Sequence, residues 1–179
     1  MKLVFNTNKY IGGGETFVSE FLSIRQDFSL ICSKDSWLSS NIQTEQIFFA
    51  EVHSPFNLLA ALNNALLRVK LRNIEVKEVL FLNFEDFLTY NNLFESKVKL
   101  NYYCLHPYDF YYRSTRPKHS LLREFIARKR SPAYGRRAEA NYRLLNNRIN
   151  GIVFYMDQIN HDLHKEYITV KTEIFALPC

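Results

Sequence analysis

Apolar residues fall in short runs flanked by polar or glycine positions: Lys2–Asn6 (KLVFN), Phe28–Ser33 (FSLICS), Glu45–Val52 (EQIFFAEV), Glu78–Phe84 (EVLFLNF), Val98–His106 (VKLNYYCLH), Gly151–Met156 (GIVFYM) and Glu173–Leu177 (EIFAL). Their β-branched and aromatic content predicts seven strands. Between them, Glu15–Arg25, Pro55–Arg72, Asp86–Phe94, a basic stretch from about Pro117 to Ile149 interrupted near SPAYG, and Asp157–Tyr167 follow a helical period. Strands that alternate with helices need crossover connections, hence a mainly parallel sheet covered on both faces. The pattern predicts an α/β, Rossmann-like fold of about seven strands. Phe56–Val69 (FNLLAALNNALLRV) is apolar around most of its circumference, which suits a helix wedged between the sheet and its neighbours.

Length adds one constraint: 179 residues, 47% of them apolar, can bury one sizeable core, so residues 1–179 are expected to form a single domain. No apolar run reaches the roughly 18 residues of a membrane span, and MKLVFNTNK lacks the apolar core of a signal peptide, so a cytoplasmic location is expected. Cys32, Cys104 and Cys179 are odd in number and lack ligand spacing, so neither a disulfide framework nor a metal site is expected.

Charge changes the picture more. Between Arg113 and Arg148 lie 11 of the 23 Lys and Arg residues but only two of the 18 acids, Glu124 and Glu139, giving +9 there against −4 elsewhere. Such a region is built to meet negative charge. Within it Leu121, Leu122, Phe125 and Ile126 fall at helical spacing among Arg123, Arg128, Lys129 and Arg130, the pattern of a basic amphipathic helix on an anionic membrane surface. A solvated face is the plain alternative. Single-stranded nucleic acid is a weaker one, because the cations lie away from the predicted strand ends and no RNA-binding motif accompanies them.

In an open parallel sheet, ligands bind beyond the C-terminal ends of the strands. Asn6, Thr7, Asn8 and Gly12, Gly13 and Gly14 follow the first strand; Lys34 and Asp35 the second; Asn83, Glu85 and Asp86 the fourth; His106, Pro107, Tyr108 and Asp109 the fifth. Three glycines before a helix let a ligand approach the main chain, and free N–H groups at a helix start favour an anion such as phosphate. A simple turn would also use them. The dinucleotide fingerprint fails although Asp35 lies about 20 residues beyond the glycines: the loop from Asn6 to Gly12 is long, and Phe17 stands where a third glycine belongs. No Lys followed by Ser or Thr succeeds the glycines, so a phosphate-binding P-loop is absent. Tyr108, Phe110, Tyr111 and Tyr112 crowd the segment after the fifth strand, where they would stack on a sugar or a polyprenyl chain, or fill a small core of their own.

Three stretches carry a resemblance: the strand–loop–GGGET–helix opening, NYYCLHPYD, and NRINGIVFYMDQINHDLHKEYITVKTEIFALPC. Together, in this order, they resemble the N-terminal half of a GT-B-fold glycosyltransferase, most closely the large family 4 of retaining sugar transferases. The resemblance implies an acceptor-binding domain whose loop of Gly12, Gly13, Gly14 and Glu15 closes over the phosphates and sugar of a nucleotide-sugar donor. No metal or other cofactor is expected. The resemblance also implies that His106 stands beside the transferring sugar as the catalytic group; a structural cap beside Pro107 is the plain alternative. Asn83, Glu85, Tyr108 and Asp109, at the ends of the fourth and fifth strands, are expected to meet a saccharide or lipid-linked acceptor. The donor would sit mostly in a second, C-terminal domain. Since ALPC falls where the linker to that domain would begin, the domain is expected to be absent, and the chain to be inactive alone. A peripheral position at the inner face of the membrane, held by Arg123, Arg128, Lys129 and Arg130, would suit a lipid-linked acceptor. The reading of a different class is a non-catalytic α/β module that binds an anionic polymer or a partner protein.

Overall fold

In the computed structural model, residues 1–8, 13–42, 47–50, 58–105 and 139–175 are described, and seven strands alternate with helices along them. The strands are β1 (Lys2–Asn6), β2 (Phe28–Cys32), β3 (Ile47–Phe49), β4 (Glu78–Phe81), β5 (Lys99–Cys104), β6 (Val153–Tyr155) and β7 (Thr172–Ile174). The helices are α1 (Gly13–Ile24), α2 (Trp37–Asn41), α3 (Leu58–Arg72), α4 (Phe84–Tyr90) with a 3-10 turn at Asn91–Leu93, α5 (139–148) and α6 (Gln158–His164). Across the sheet the order is β3-β2-β1-β4-β5-β6-β7, and every pairing is parallel. The fold is Rossmann-like.

Because helices cover both faces, the central strands are buried at successive positions and read as continuous apolar runs. Leu3, Phe5, Val79, Phe81, Leu100 and Tyr102 meet Leu67 and Leu71 of α3, Phe87 of α4 and Leu145 of α5. Val4, Leu30, Cys32, Leu80 and Tyr103 meet Phe17, Val18, Phe21 and Leu22 of α1 and Leu38 of α2 on the other face. At the opposite end from the expected site, Asn150 ties β5 down: its Oδ1 accepts from Leu100 N at 2.7 Å and its Nδ2 donates to the Ser96 and Val98 carbonyls. Gly151 follows because it must; a Cβ there would lie 2.1 Å from Asn101 Oδ1 and 2.8 Å from the Leu100 carbonyl.

Several boundaries differ from those the pattern predicts, each for a local reason. β4 ends at Phe81 and Phe84 opens α4, because the Asn83 carboxamide accepts from Asp86 N at 2.7 Å and caps a helix there. α2 has too little apolar periodicity to announce itself; Ser36 caps it by accepting from Ser39 N. β7 begins at Thr172 and α4 stops at Tyr90. α3 is not wedged on all sides: Leu67 and Leu71 are buried, whereas Leu62, Leu66 and Val69 are exposed. Of the basic stretch, α5 is the described part.

Candidate functional site

The sheet changes direction at β1. Through α1 the chain passes to β2 on one side, and through α3 it returns to β4 on the other. Connections that diverge in this way leave a crevice beyond the C-terminal ends of the two strands. Asn6 and Thr7 lie at its floor, 3% and 1% exposed.

Each grips a carboxylate. Asn6 Nδ2 donates to Glu15 Oε1 at 3.1 Å, while Asn6 Oδ1 accepts from Asn8 N at 3.0 Å. Thr7 N donates to Asp86 Oδ2 at 2.8 Å and the Thr7 hydroxyl donates to Asp86 Oδ1. Successive residues at a strand end face opposite layers. Accordingly Glu15 comes from α1 on one face of the sheet and Asp86 from α4 on the other, so the exit of β1 is latched to both helical layers.

The two acids differ in satisfaction. Asp86 is fully engaged: its Oδ2 also accepts from Asn83 Nδ2 at 2.6 Å. Burial pushes its carboxyl up to about 6, against the hydrogen bonds from Thr7 and Asn83, which favour the charged form. Glu15 is only 1% exposed, yet its Oε2 has no hydrogen-bond partner. A buried carboxylate oxygen without a donor is costly. Glu15 sits in the first turn of α1, and an acid there weakens the field that this helix start offers to a phosphate, so any anion held here relies on direct N–H contacts.

Among the other sequence candidates, Gly13 opens α1, and a Cβ on Gly14 would lie 3.4 Å from Leu105 Cδ1 and 3.7 Å from Asn6 Nδ2. A methyl group would fit there, and Leu105 brings the end of β5 against the start of α1. Asn83 spends its carboxamide on Asp86, and Glu85 is half-buried in the first turn of α4. Gly12, His106, Tyr108, Asp109, Arg123, Arg128, Lys129 and Arg130 lie outside the described residues. Phe17 is buried with its ring centroid 4.3 Å from that of Tyr103, at the position where the dinucleotide fingerprint has a glycine that lets helix and strand close together. Among the described residues no three His, Cys, Asp or Glu side chains are grouped to hold a metal ion, and no helix is long and apolar enough to cross a membrane.

No family profile matches the sequence, and no curated protein matches it either. Solved structures do. HepE of Anabaena in complex with UDP and glucose superposes with a TM-score of 0.58 at 15% identity, over 98% of this chain and 44% of that one. HepE in complex with UDP gives 0.61 at 14% identity, over 98% and 43%. The chain has the fold of one half of HepE. It spans less than half of that protein's length, and at this identity the likeness establishes architecture alone.

The latch residues were partly legible. Asn83-x-x-Asp86 is a helix-cap spacing that could have been read locally. The partnership of Thr7 with Asp86, 79 positions apart, had no local signal.

Proposed function

We propose that this chain is the acceptor-side half of a GT-B-type glycosyltransferase, most like family 4, that moves a sugar from a nucleotide-sugar donor to a saccharide or lipid-linked acceptor. The observation that carries the reading is the unfilled Oε2 of buried Glu15, at the crevice where the ends of β1 and β5 meet the start of α1. A sugar hydroxyl is a natural donor for it. That HepE, which shares the fold, binds UDP and glucose supports the same ligand class.

In this scheme Gly12 and Gly13 present main-chain N–H groups to the donor diphosphate, and Glu15 accepts from the donor sugar. As the glycosidic bond to the diphosphate breaks, negative charge grows on the leaving oxygen, and preorganised N–H groups with the His106 imidazole offset it. His106 directly follows Leu105 in the sequence. Neither a metal nor another cofactor has a role. Glu85, Tyr108 and Asp109 face the acceptor, with the remaining N–H of Asn83. The donor lies mostly against a second half, as the family 4 resemblance implies. Arg123, Arg128, Lys129 and Arg130 keep the enzyme near an anionic membrane face.

The test is transfer from a nucleotide-sugar by an enzyme completed with a donor-binding half. Gly13→Val should abolish transfer and leave the fold intact; unchanged turnover would remove the glycine loop from the mechanism. His106→Ala should lower kcat about 100-fold to 1000-fold with less effect on the donor KM. A change in thermal stability with unaltered kcat would make His106 a structural residue.

A further inference from the structure

α3 turns Leu62, Leu66 and Val69 away from the sheet, where they are 55%, 51% and 56% exposed. At 100° per residue the three span about 60° of arc, roughly opposite the buried pair Leu67 and Leu71. The outward face of a helix packed on a sheet is ordinarily polar, and a contiguous apolar stripe there marks a contact surface. Cations flank it on both sides: Lys70 along one edge, Arg68 and Arg72 along the other, all exposed. Leu58–Arg72 contains no acidic residue, and among the described residues none of these three cations forms an ion pair. Where Arg68 and Arg72 reach the foot of the helix they line a groove of about 500 Å³ with Glu75, Glu95 and Lys97, and there Glu95 pairs with Lys97 at 2.9 Å.

We infer that the outward face of α3 is a docking surface for an anionic phospholipid bilayer. Leu62, Leu66 and Val69 enter the boundary between headgroups and acyl chains, while Lys70, Arg68 and Arg72 extend to lipid phosphates on either side. An apolar seam bordered on both edges by cations that form no ion pair among the described residues matches the layering of a bilayer, with hydrocarbon within and negative charge at the rim. A second copy of the chain fits poorly, since apposing two such stripes would bring six cations together with no acid between them. The proposal does not involve Arg123–Arg130 and is independent of sugar transfer. Loss of transfer therefore leaves this inference intact, and loss of vesicle binding leaves the transferase reading intact.

The experiment is co-sedimentation of the full chain with phosphatidylcholine vesicles, with and without a third of phosphatidylglycerol. Binding to the anionic vesicles should exceed that to neutral ones by at least about tenfold, because each nearby cation is worth roughly fivefold. It should weaken as salt rises to about 1 M, where the Debye length falls to about 3 Å. The variant Leu62→Gln, Leu66→Gln, Val69→Thr alters exposed positions only; it should keep the circular dichroism spectrum and lose about tenfold or more in vesicle partition. Arg128→Glu, Lys129→Glu, Arg130→Glu should retain the binding that α3 supplies. Equal sedimentation of the α3 variant and the unaltered chain would overturn the inference, as would no binding to anionic vesicles. So would a dimer in sedimentation equilibrium that the α3 variant dissolves, which would assign the stripe to a second copy.

Discussion

Asp86 gives one side chain a measurable pH signature. Its carboxyl titrates at about 6 in the folded chain against 3.8 for the free group, chiefly through burial. Folding therefore favours the protonated form: the stability it adds is fully present below pH 3.8 and is lost as pH rises through about 6. The loss amounts to about 3 kcal/mol. Asp86→Asn can keep the network, with its oxygen accepting from Thr7 N and Asn83 Nδ2 while its amide donates to the Thr7 hydroxyl. Urea unfolding should show the wild type losing stability relative to this variant between pH 4 and pH 7; a difference that does not vary with pH would refute the assignment. The glycines make a second contrast at this scale. Gly151→Ala forces a Cβ onto Asn101 and should cost about 1–3 kcal/mol, whereas Gly14→Ala meets only ordinary contacts and should be neutral or slightly stabilising. The sequence drew attention to the glycine triplet because three in a row are conspicuous. It was silent on Gly151, whose constraint comes from Asn101 across the β5–β6 pair.

At the scale of elements, Arg148 shows how composition can mislead. It counts among the cations of the basic stretch, yet its Nε donates to Asn91 Oδ1 at 3.0 Å and its Nη2 to the carbonyls of Asn91 and Phe94, closing the end of the 3-10 turn after α4. Lysine has no fork to span these acceptors. Arg148→Lys should destabilise the chain by about 1–3 kcal/mol in denaturant unfolding at unchanged slope, and a loss within error would show that the cap is dispensable. Periodicity located α1, α3 and α6 but could not orient α3, because its apolar residues surround the axis and only contact with the sheet selects Leu67 and Leu71 for burial. The end of β4 was misplaced for a related reason: Leu82 and Phe84 prolong an apolar run, and the cap at Asn83 outweighs it.

For the molecule as a whole, alternation of strand and helix was enough to predict a parallel, two-faced sheet. Strand order was not, since the return through α3 from β3 to the far side of β1 depends on long-range packing. That return creates the crevice, so the candidate site was legible as a set of strand ends but not as the pair of latches at Asn6 and Thr7. The central claim is that a nucleotide-sugar is met there. Its most direct test is ¹H–¹⁵N shift mapping of the chain titrated with millimolar UDP-glucose. We predict saturable shifts centred on Thr7, Gly12, Gly13, Gly14, Glu15, Leu105 and His106, and weakened by Glu15→Gln, which leaves the fold intact. Shifts gathered elsewhere, such as the groove beside Arg68 and Lys97, or no shifts at all, would contradict it.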